Sequence, residues 1–482
     1  MMPKAAQNSQ KQAGVLLHIS SLPAGNLGQD AYRFVDFLAS SGVSVWQTLP
    51  INMPHADNSP YQCISAHAGN TAFISPQQLQ QDGLITEIDS QLAHTQVLQL
   101  AYDYCVNNKK LDGFTDFCHQ HKDWLTDFAL YSVLRKQFNN ASWEQWDDCY
   151  KNRDAEALIA FEAEQAAAIE QVKFHQYLFF KQWHALKVYA NTHHIALFGD
   201  IPIFVAYDSA EVWAKPHLFK LDEDNAMTVV AGVPPDYFSE TGQRWGNPHY
   251  QWEAMAEDDY AWWVNRMRTQ SELFDLVRID HFRGLQAAWE IPSNEQTAIN
   301  GTWVDAPGDD LLAAIYAQCP DIHLVAEDLG IITEEVDALR LKYKMPGMKI
   351  LQFAFGGDET NPYLPQNIEE NSVVYTGTHD NDTTLGWYQQ AEQHVKDHLH
   401  RYLNNDQPNM PSALITLAFS TEAKLAIVPM QDILALDGAH RMNTPGTIDN
   451  NWAWRFNWEQ LTDQHQQAFK QAVSNAGRAV NV

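Results

Sequence analysis

The sequence predicts a (β/α)8 barrel, because it contains eight short apolar segments, helical segments between several of them, and carboxylates at three segment ends. The eight segments are rich in Val, Ile and Leu and do not alternate with polar residues, which is typical of buried parallel strands. Helices between such strands indicate parallel crossover units. The predicted strands are 14–19, 43–50, 195–203, Leu276–Asp280, 323–328, 348–355, 372–380 and 425–432.

One helix is predicted between the first two strands in the sequence. Residues 31–41 carry apolar side chains at helical spacing between the strands at 14–19 and 43–50. A second helical pattern, at 254–274, comes just before the fourth strand. We therefore expect strands and helices to alternate in a single catalytic barrel domain that spans residues 1–482.

The connection between strands two and three is far longer than a βα unit requires. It begins with a turn-rich stretch at 54–76 and continues with a long helical pattern. Residues 155–191 are dense in Ala, Glu, Gln and Lys, with Leu158 and Phe161 among the apolar residues at helical spacing. This pattern predicts an inserted helical subdomain over residues 83–192, packed against the barrel. A coiled-coil helix is the disfavoured alternative, because the heptads are irregular.

The connection between strands three and four, residues 204–275, is also long. It contains GVPPDYFS at 232–239 and GQRWGNP at 242–248. Glycine and proline at these positions predict a shaped loop instead of a helix. Long loops on the active face of a barrel act as lids or binding walls. We expect the aromatic residues of this loop to form apolar walls of a site: Tyr237, Phe238 and Trp245. The alternative is that these rings only pack the loop onto the barrel, and we expect this role for at least one of them, Phe238.

Three carboxylates follow apolar strands of the predicted barrel. Asp280 ends strand four, Glu327 lies at the end of strand five, and Asp380 lies at the end of strand seven. Arg278 precedes Asp280 by two positions, so both side chains point to the same face of the strand. An Arg-x-Asp pair alone is more often a structural ion pair. Three carboxylates at the C-terminal ends of three barrel strands, however, predict one catalytic centre.

Carboxyls on adjacent strands match the chemistry of a retaining glycosidase. Neighbouring strands lie about 4.8 Å apart, and retaining enzymes hold their two carboxyls roughly 5–5.5 Å apart. Asp280 would attack the anomeric carbon, while Glu327 would protonate the leaving oxygen and then deprotonate the acceptor. We expect Arg278 to lower the pKa of Asp280, and the nearby carboxylates to raise the pKa of Glu327. Asp380 and His379 are predicted to hold sugar hydroxyls, although each alone also fits a structural role.

The net charge of −29 at pH 7 argues against a polyanionic partner. Nucleic acid binding normally needs a basic surface, and the same negative charge disfavours anionic membrane surfaces. No apolar run reaches the ~18 residues of a membrane span. We therefore expect a neutral small-molecule substrate, no nucleic-acid partner and no membrane partner.

The five cysteines are scattered, odd in number and without CxxC spacing. This pattern is typical of reduced thiols and predicts neither a disulfide framework nor a zinc site. Residues 1–12 are polar and lack the apolar segment of a signal peptide. The sequence also lacks a P-loop and a nucleotide-binding glycine motif. We therefore expect a cytoplasmic protein without a metal or a cofactor.

Motifs spread over most of the chain resemble those of one enzyme family. The motifs are LHISSLP at 17–23, SPY at 59–61, GDIPI at 199–203, PPDYFS at 234–239, QRWGNP at 243–248, RIDHFRG at 278–284, AEDLG at 326–330, THDN at 378–381, NTPGT at 443–447 and NWAWR at 451–455. On these motifs the sequence resembles the 4-alpha-glucanotransferases, also called amylomaltases or disproportionating enzymes, of the α-amylase superfamily.

The resemblance implies a hexosyltransferase that moves a segment of an α-1,4-glucan (maltodextrin) to the 4-hydroxyl of another glucan or of glucose. Such enzymes serve maltodextrin, starch and glycogen metabolism. The implied fold is a (β/α)8 barrel with no cofactor and no separate C-terminal β-domain. The sequence leaves the oligomeric state, monomer or homodimer, open.

The resemblance also implies roles for individual residues. Asp280 is the implied nucleophile, Glu327 the acid/base and Asp380 the stabiliser of the transition state. Six further side chains are implied to contact glucose units: Tyr61, Asp236, Trp245, Asn247, Arg278 and His379.

Two other classes of function stay open at the level of sequence. A hydrolase of the same superfamily would carry the same three carboxylates, because only the acceptor differs. The PPDYFS loop at 234–239 favours transfer. A glycan-binding protein with an inactive barrel is disfavoured, because all three carboxylates are present.

Overall fold

The computed structural model of the protein describes residues 11–236, 239–447 and 449–480. Tyr237 and Phe238, which the sequence predicts as walls of the site, lie outside the described residues. All eight predicted barrel strands fall within these ranges.

Eight parallel strands form one sheet. They are β1 (Gln12–Leu16), β2 (Val45–Gln47), β3 (Ala196–Pro202), β4 (Leu276–Asp280), β5 (Leu324–Ala326), β6 (Gly347–Ile350), β7 (Ser372–Tyr375) and β8 (Leu425–Pro429). Their order in the sheet is β6-β7-β8-β1-β2-β3-β4-β5, and each neighbouring pair is parallel. The N–H of Ala326 in β5 donates to the carbonyl of Pro346, just before β6, at 2.9 Å. This bond joins the two ends of the sheet, and the predicted (β/α)8 barrel is confirmed.

The barrel interior changes from apolar to polar towards the C-terminal ends of its strands. Phe198 in β3 and Leu276 in β4 pack in the apolar cluster inside the barrel. Two residues further along these strands stand Asp200 and Arg278, and Asp280 ends β4. Because side chains alternate with a period of two, these charged residues lie above the apolar layer on the same inner face.

Helices alternate with the strands and also fill the long connections. The α-helices are Gln29–Ser40, Pro76–Gln81, His94–Asn107, Phe114–Gln120, Lys122–Gln137, Asp148–Lys151, Ala155–Glu164, Ala166–Thr192, Ala210–Ala214, Trp252–Ala256, Ala261–Leu273, Gly308–Gln318, Glu334–Lys342, Thr384–Gln390, Gln393–Leu403, Ser412–Ser420, Met430–Ile433 and Asp463–Asn475. The predicted helix at 254–274 is interrupted, because Asp259 and Tyr260 have left-handed backbones.

The connection between β2 and β3 is helical, as predicted, and its last helix, Ala166–Thr192, packs against the barrel. The indole N–H of Trp183 donates to the carbonyl of Leu273 at 2.7 Å, at the end of the helix before β4. At Gly69 a Cβ atom would lie 2.0 Å from the Phe179 ring, so only glycine allows this close approach. The division of the chain at 83–192 stays a prediction.

A second, small antiparallel sheet lies in the long connections on either side of β4. Its strands are, in spatial order, Gln243–Pro248, Val229–Val233, Ala287–Pro292 and Thr302–Asp305. The sequence predicted a shaped loop for the first two segments and nothing for the last two. Glycine and proline interrupt the alternation of apolar and polar residues that predicts a strand. These segments become strands because they pair with other segments of the chain.

Within the described ranges, no helix combines the length and the apolar character needed to cross a membrane.

Candidate active site

Arg278 links two carboxylates above the apolar layer of the barrel. Its Nη1 donates to both oxygens of Asp200, at 2.8 and 2.7 Å, and its Nη2 lies 2.7 Å from Asp280 Oδ1. The predicted pair of Arg278 and Asp280 is therefore present. Sequence reasoning gave Asp200 no role, although a carboxylate within the apolar segment 195–203 was a signal for one.

Asp280 stands at the mouth of the barrel, with 32% of its side chain exposed. Burial of its carboxyl raises the pKa of Asp280, Arg278 lowers it, and Asp200 and Asp380 raise it again, so that the net shift is upward. The lowering by Arg278 expected from the sequence exists but is outweighed, and the expected net direction was wrong. One guanidinium serves several carboxylates here, which the local sequence does not reveal.

Glu327, the first residue after β5, is held by two backbone N–H groups. His281 donates to Oε2 at 2.7 Å, and Leu329 donates to Oε1 at 3.0 Å. Burial raises the pKa of Glu327 most strongly, Arg278 lowers it and Asp280 raises it, so that the net pKa is about 8. The expected direction is confirmed, although burial contributes more than the neighbouring carboxylate. Glu327 is therefore mostly protonated at neutral pH and able to donate a proton.

Asp380 lies in the loop after β7 and has two hydrogen-bond donors. Its Oδ2 is 3.2 Å from His379 Nε2, and its Oδ1 accepts from Asn443 Nδ2 at 2.6 Å. Burial raises the pKa of Asp380, but the charge of His379 and the hydrogen bonds from His379 and Asn443 hold it well below its usual value. Asp380 is thus a fixed anion. Sequence reasoning did not assign Asn443, although it begins the NTPGT motif.

Tyr61 connects the two halves of the site. Its hydroxyl donates to Asp200 Oδ2 at 2.7 Å and lies 2.9 Å from His379 Nε2. The Tyr61 and His379 rings are stacked, with centroids 5.2 Å apart. Five side chains from four separate parts of the chain therefore form one hydrogen-bonded network: Tyr61, Asp200, Arg278, His379 and Asp380.

Comparison with known proteins identifies the family and the fold. A family model described as 4-alpha-glucanotransferase matches residues 17–462. The chain is 44% identical over 480 residues to a 4-alpha-glucanotransferase of Synechocystis sp., covering 94% of this chain and 95% of the relative. It is 44% identical over 482 residues to a 4-alpha-glucanotransferase of Thermus thermophilus, covering 94% and 96% of the two chains.

A solved structure agrees with these relatives. The amylomaltase from Streptococcus agalactiae in complex with acarbose has a TM-score of 0.94 and 36% identity, covering 98% of this chain and 100% of that chain. The chain belongs to the 4-alpha-glucanotransferase family. It is therefore a glycosyltransferase enzyme.

The remaining predicted substrate contacts of this 4-alpha-glucanotransferase family member lie in the connection between β3 and β4. Trp245 is half-buried, and its ring meets the His281 ring edge-on at 4.9 Å. Asn247 is 5% exposed, and its amide donates to the Val205 carbonyl at 2.9 Å. Asp236 is exposed and accepts a hydrogen bond from the Ser239 N–H at 2.8 Å. Trp245 thus adjoins the carboxylates through His281, while Asn247 holds the loop in place.

Proposed function

We propose that this protein transfers a segment of an α-1,4-glucan (maltodextrin) to the 4-hydroxyl of another glucan or of glucose. The named activity of its relatives supports this donor and acceptor class. The observation that carries the proposal is the pair of carboxyls at the ends of β4 and β5. Asp280 is ion-paired with Arg278, and Glu327 has a pKa raised to about 8.

The first step of the proposed reaction forms a covalent glycosyl-enzyme. An oxygen of Asp280 attacks the anomeric carbon, and the bond from that carbon to the leaving oxygen breaks. Glu327 transfers its proton to the leaving oxygen, which departs as the 4-hydroxyl of the released sugar. The pairing Ile279↔Ala326 supports these roles, because it sets Asp280 and Glu327 at neighbouring strand ends.

The second step returns the enzyme to its starting state. Glu327, now a carboxylate, takes the proton from the 4-hydroxyl of the acceptor, and that oxygen attacks the anomeric carbon. The bond to Asp280 breaks, and the product keeps the configuration of the donor after two inversions.

Asp380 is proposed to stabilise the positive charge that develops on the sugar in the transition state of each step. Its depressed pKa supports this role, because the group stays an anion in the pH range where Glu327 is an acid. His379 and Asn443 hold both of its oxygens, so the charge is oriented before the substrate arrives.

We also propose that the six side chains implied by the family motifs contact glucose units: Tyr61, Asp236, Trp245, Asn247, Arg278 and His379. The cytoplasmic location and the role in maltodextrin metabolism remain predictions of the sequence.

Incubation of the purified protein with maltotriose tests transfer against hydrolysis. Transfer releases glucose and builds a ladder of longer maltodextrins, while the concentration of reducing ends stays nearly constant. If reducing ends rise about as fast as maltotriose disappears, the protein is a hydrolase and the proposal fails.

A slow substrate tests the covalent step separately. A fluorinated glucosyl fluoride, which slows breakdown of the glycosyl-enzyme, is expected to add one sugar mass to the peptide that contains Asp280. Labelling at any other carboxylate, or no labelling of a protein that turns over the substrate, contradicts the covalent route.

A further inference from the structure

His281 directly follows the proposed nucleophile and has an unusual backbone conformation. β4 ends at Asp280, and a short 3-10 helix, Phe282–Leu285, begins after His281. His281 itself is left-handed, with φ 54° and ψ 49°. Asparagine, aspartate and histidine adopt this region more readily than other residues with a side chain, and β-branched residues rarely do.

The N–H of this left-handed residue points at the proposed acid/base. The hydrogen bond from His281 N–H to Glu327 Oε2 is 2.7 Å long. The next N–H, of Phe282, donates to the Glu327 carbonyl at 3.1 Å, and the Glu327 N–H donates to the Ile279 carbonyl at 3.1 Å. The end of β4 therefore holds both the backbone and the carboxyl of Glu327. The left-handed φ and ψ of His281 set the angle between its own N–H and that of Phe282, so that both N–H groups reach Glu327.

The ring of His281 contacts a second functional element. It meets Trp245 edge-on, with centroids 4.9 Å apart and planes at 89°. Burial, together with the charge of Arg283, lowers the pKa of His281 to about 3. The ring is therefore neutral in the working pH range and acts on Trp245 by packing.

We propose that His281 is a positioning residue that fixes Glu327 through its backbone N–H and Trp245 through its ring. The inference rests on the proposed function of Glu327 as acid/base. When Glu327 gives up its proton, its carboxyl gains negative charge, and a preorganised N–H stabilises that charge. His281 thus holds both the proposed acid/base, Glu327, and a proposed glucose contact, Trp245.

Three variants separate the backbone role from the ring role. His281→Gly and His281→Asn tolerate the left-handed backbone and keep the N–H, whereas His281→Val disfavours that backbone. We expect His281→Val to slow leaving-group release from maltotriose at least tenfold more than His281→Gly or His281→Asn. The difference should shrink with α-glucosyl fluoride, because fluoride leaves with little help from an acid.

The pH profile gives a readout that a general loss of packing does not move. The N–H bond favours the ionised form of Glu327 and so lowers its pKa. Its loss raises the pKa, and the alkaline limb of leaving-group release then moves to higher pH in His281→Val but not in His281→Gly or His281→Asn. If the alkaline limb and the rate of leaving-group release are the same in all three variants, the proposed role of the His281 backbone is wrong.

The ring role has its own measurement. Both His281→Gly and His281→Asn remove the contact with Trp245, so we expect the KM for a glucose acceptor to rise several-fold in each. Combination with Trp245→Ala should add little to that rise, because the two changes remove the same contact. An unchanged acceptor KM in His281→Gly, or full additivity with Trp245→Ala, would overturn this part.

The chain offers a matched control for folding. His194 also has a left-handed backbone, with φ 62°, and it lies just before β3 at the opposite end of the barrel. His194→Val should therefore carry the same conformational penalty without any change in the pH profile. If His281→Val fails to fold, an ester in place of the peptide bond between residues 280 and 281 removes the same N–H without changing the side chain. A normal alkaline limb in that ester protein would overturn the proposal.

The test of His281 can fail or succeed independently of the proposed transferase activity. The rate of leaving-group release is measured before the acceptor reacts, so it does not depend on whether a sugar or water accepts the glycosyl group. A wild-type protein that only hydrolyses maltotriose defeats the transferase proposal, and the three variants still decide the role of His281.

Discussion

Arg278 and Asp200 form a two-point ion pair inside the barrel, with Nη1 of the guanidinium 2.8 and 2.7 Å from the two carboxylate oxygens. Both residues are buried, with exposures of 4% and 1%. The other terminal nitrogen of Arg278 holds Asp280. The orientation of the proposed nucleophile therefore depends on a carboxylate of the neighbouring strand, which does not itself reach the substrate in the proposed reaction.

Asp200→Asn is expected to weaken both stability and activity. The substitution removes one of the negative charges that balance the buried Arg278 guanidinium. Loss of one partner of a buried ion pair lowers the free energy of unfolding by roughly 3–5 kcal/mol. Urea denaturation measures the loss of unfolding free energy, and maltotriose turnover measures the loss of activity. A variant with wild-type stability and turnover would show that Arg278 does not need this partner.

Asp280→Asn should keep the fold and reduce turnover by orders of magnitude, because the amide cannot form the covalent intermediate. Circular dichroism checks the fold, and maltotriose consumption checks the activity. Asp321→Asn is the matched control, because Asp321 is exposed and lies before β5, at the opposite end of the barrel. Near-normal turnover in a well-folded Asp280→Asn protein would refute the role of Asp280 as nucleophile.

Glu327→Gln preserves the shape of the side chain and removes its proton. General acid help is worth roughly 10²–10⁴-fold, so single-turnover glycosylation from maltotriose should fall by that factor and glycosylation from α-glucosyl fluoride by much less. The wild-type enzyme should lose activity as pH rises through about 8, where the buried acid ionises. The same fractional loss with both donors would rule out Glu327 as the acid.

Asn443→Ala is expected to lower kcat and to leave the acid limb of activity in place. The hydrogen bond from Asn443 fixes one oxygen of Asp380, and hydrogen bonds to charged groups contribute roughly 1.5–3 kcal/mol. The acid limb should not move, because the pKa of Asp280 is raised while that of Asp380 is held well below its usual value, so Asp280 is protonated first on acidification. The measurement is kcat for maltotriose as a function of pH, with the exposed Asn409→Ala as a control. Wild-type kcat in Asn443→Ala would contradict the role of Asn443.

Trp245→Ala should raise the ratio of hydrolysis to transfer. Water competes with the sugar hydroxyl for the glycosyl-enzyme, and a well-oriented acceptor gains an effective molarity of ~10⁵ M or more. Loss of the half-buried ring removes apolar surface that binds the acceptor and excludes water. Reducing ends formed per maltotriose consumed give the ratio. A ratio equal to the wild-type value would leave Trp245 a packing residue only.

The strands that end at or precede the three proposed catalytic carboxylates could be predicted from the sequence, because parallel barrel strands are buried on both faces and appear as apolar runs. Their lengths were overestimated. The segment 348–355 forms a strand only over Gly347–Ile350 and then a 3-10 helix. The apolar run continues there because residues on both sides of the strand end are buried.

The small antiparallel sheet was not predictable in this way. Gly242 has a left-handed backbone and forms the turn between two of its strands, and Trp289 pairs with Trp303 from a distant segment. Glycine and proline in these segments predict a loop from local sequence, whereas pairing with strands from other segments makes them strands.

The sequence by itself determined the barrel, the three carboxylates and the pairing of Arg278 with Asp280, because these follow from periodicity within single strands. Tertiary structure alone decided which other groups meet them. Asp200 comes from the strand beside β4, and Asn443 comes from the segment after β8. Burial and charge from these separate segments set the pKa values of Asp280 and Glu327, so the proposed nucleophile and the proposed acid acquire these values only when the barrel closes.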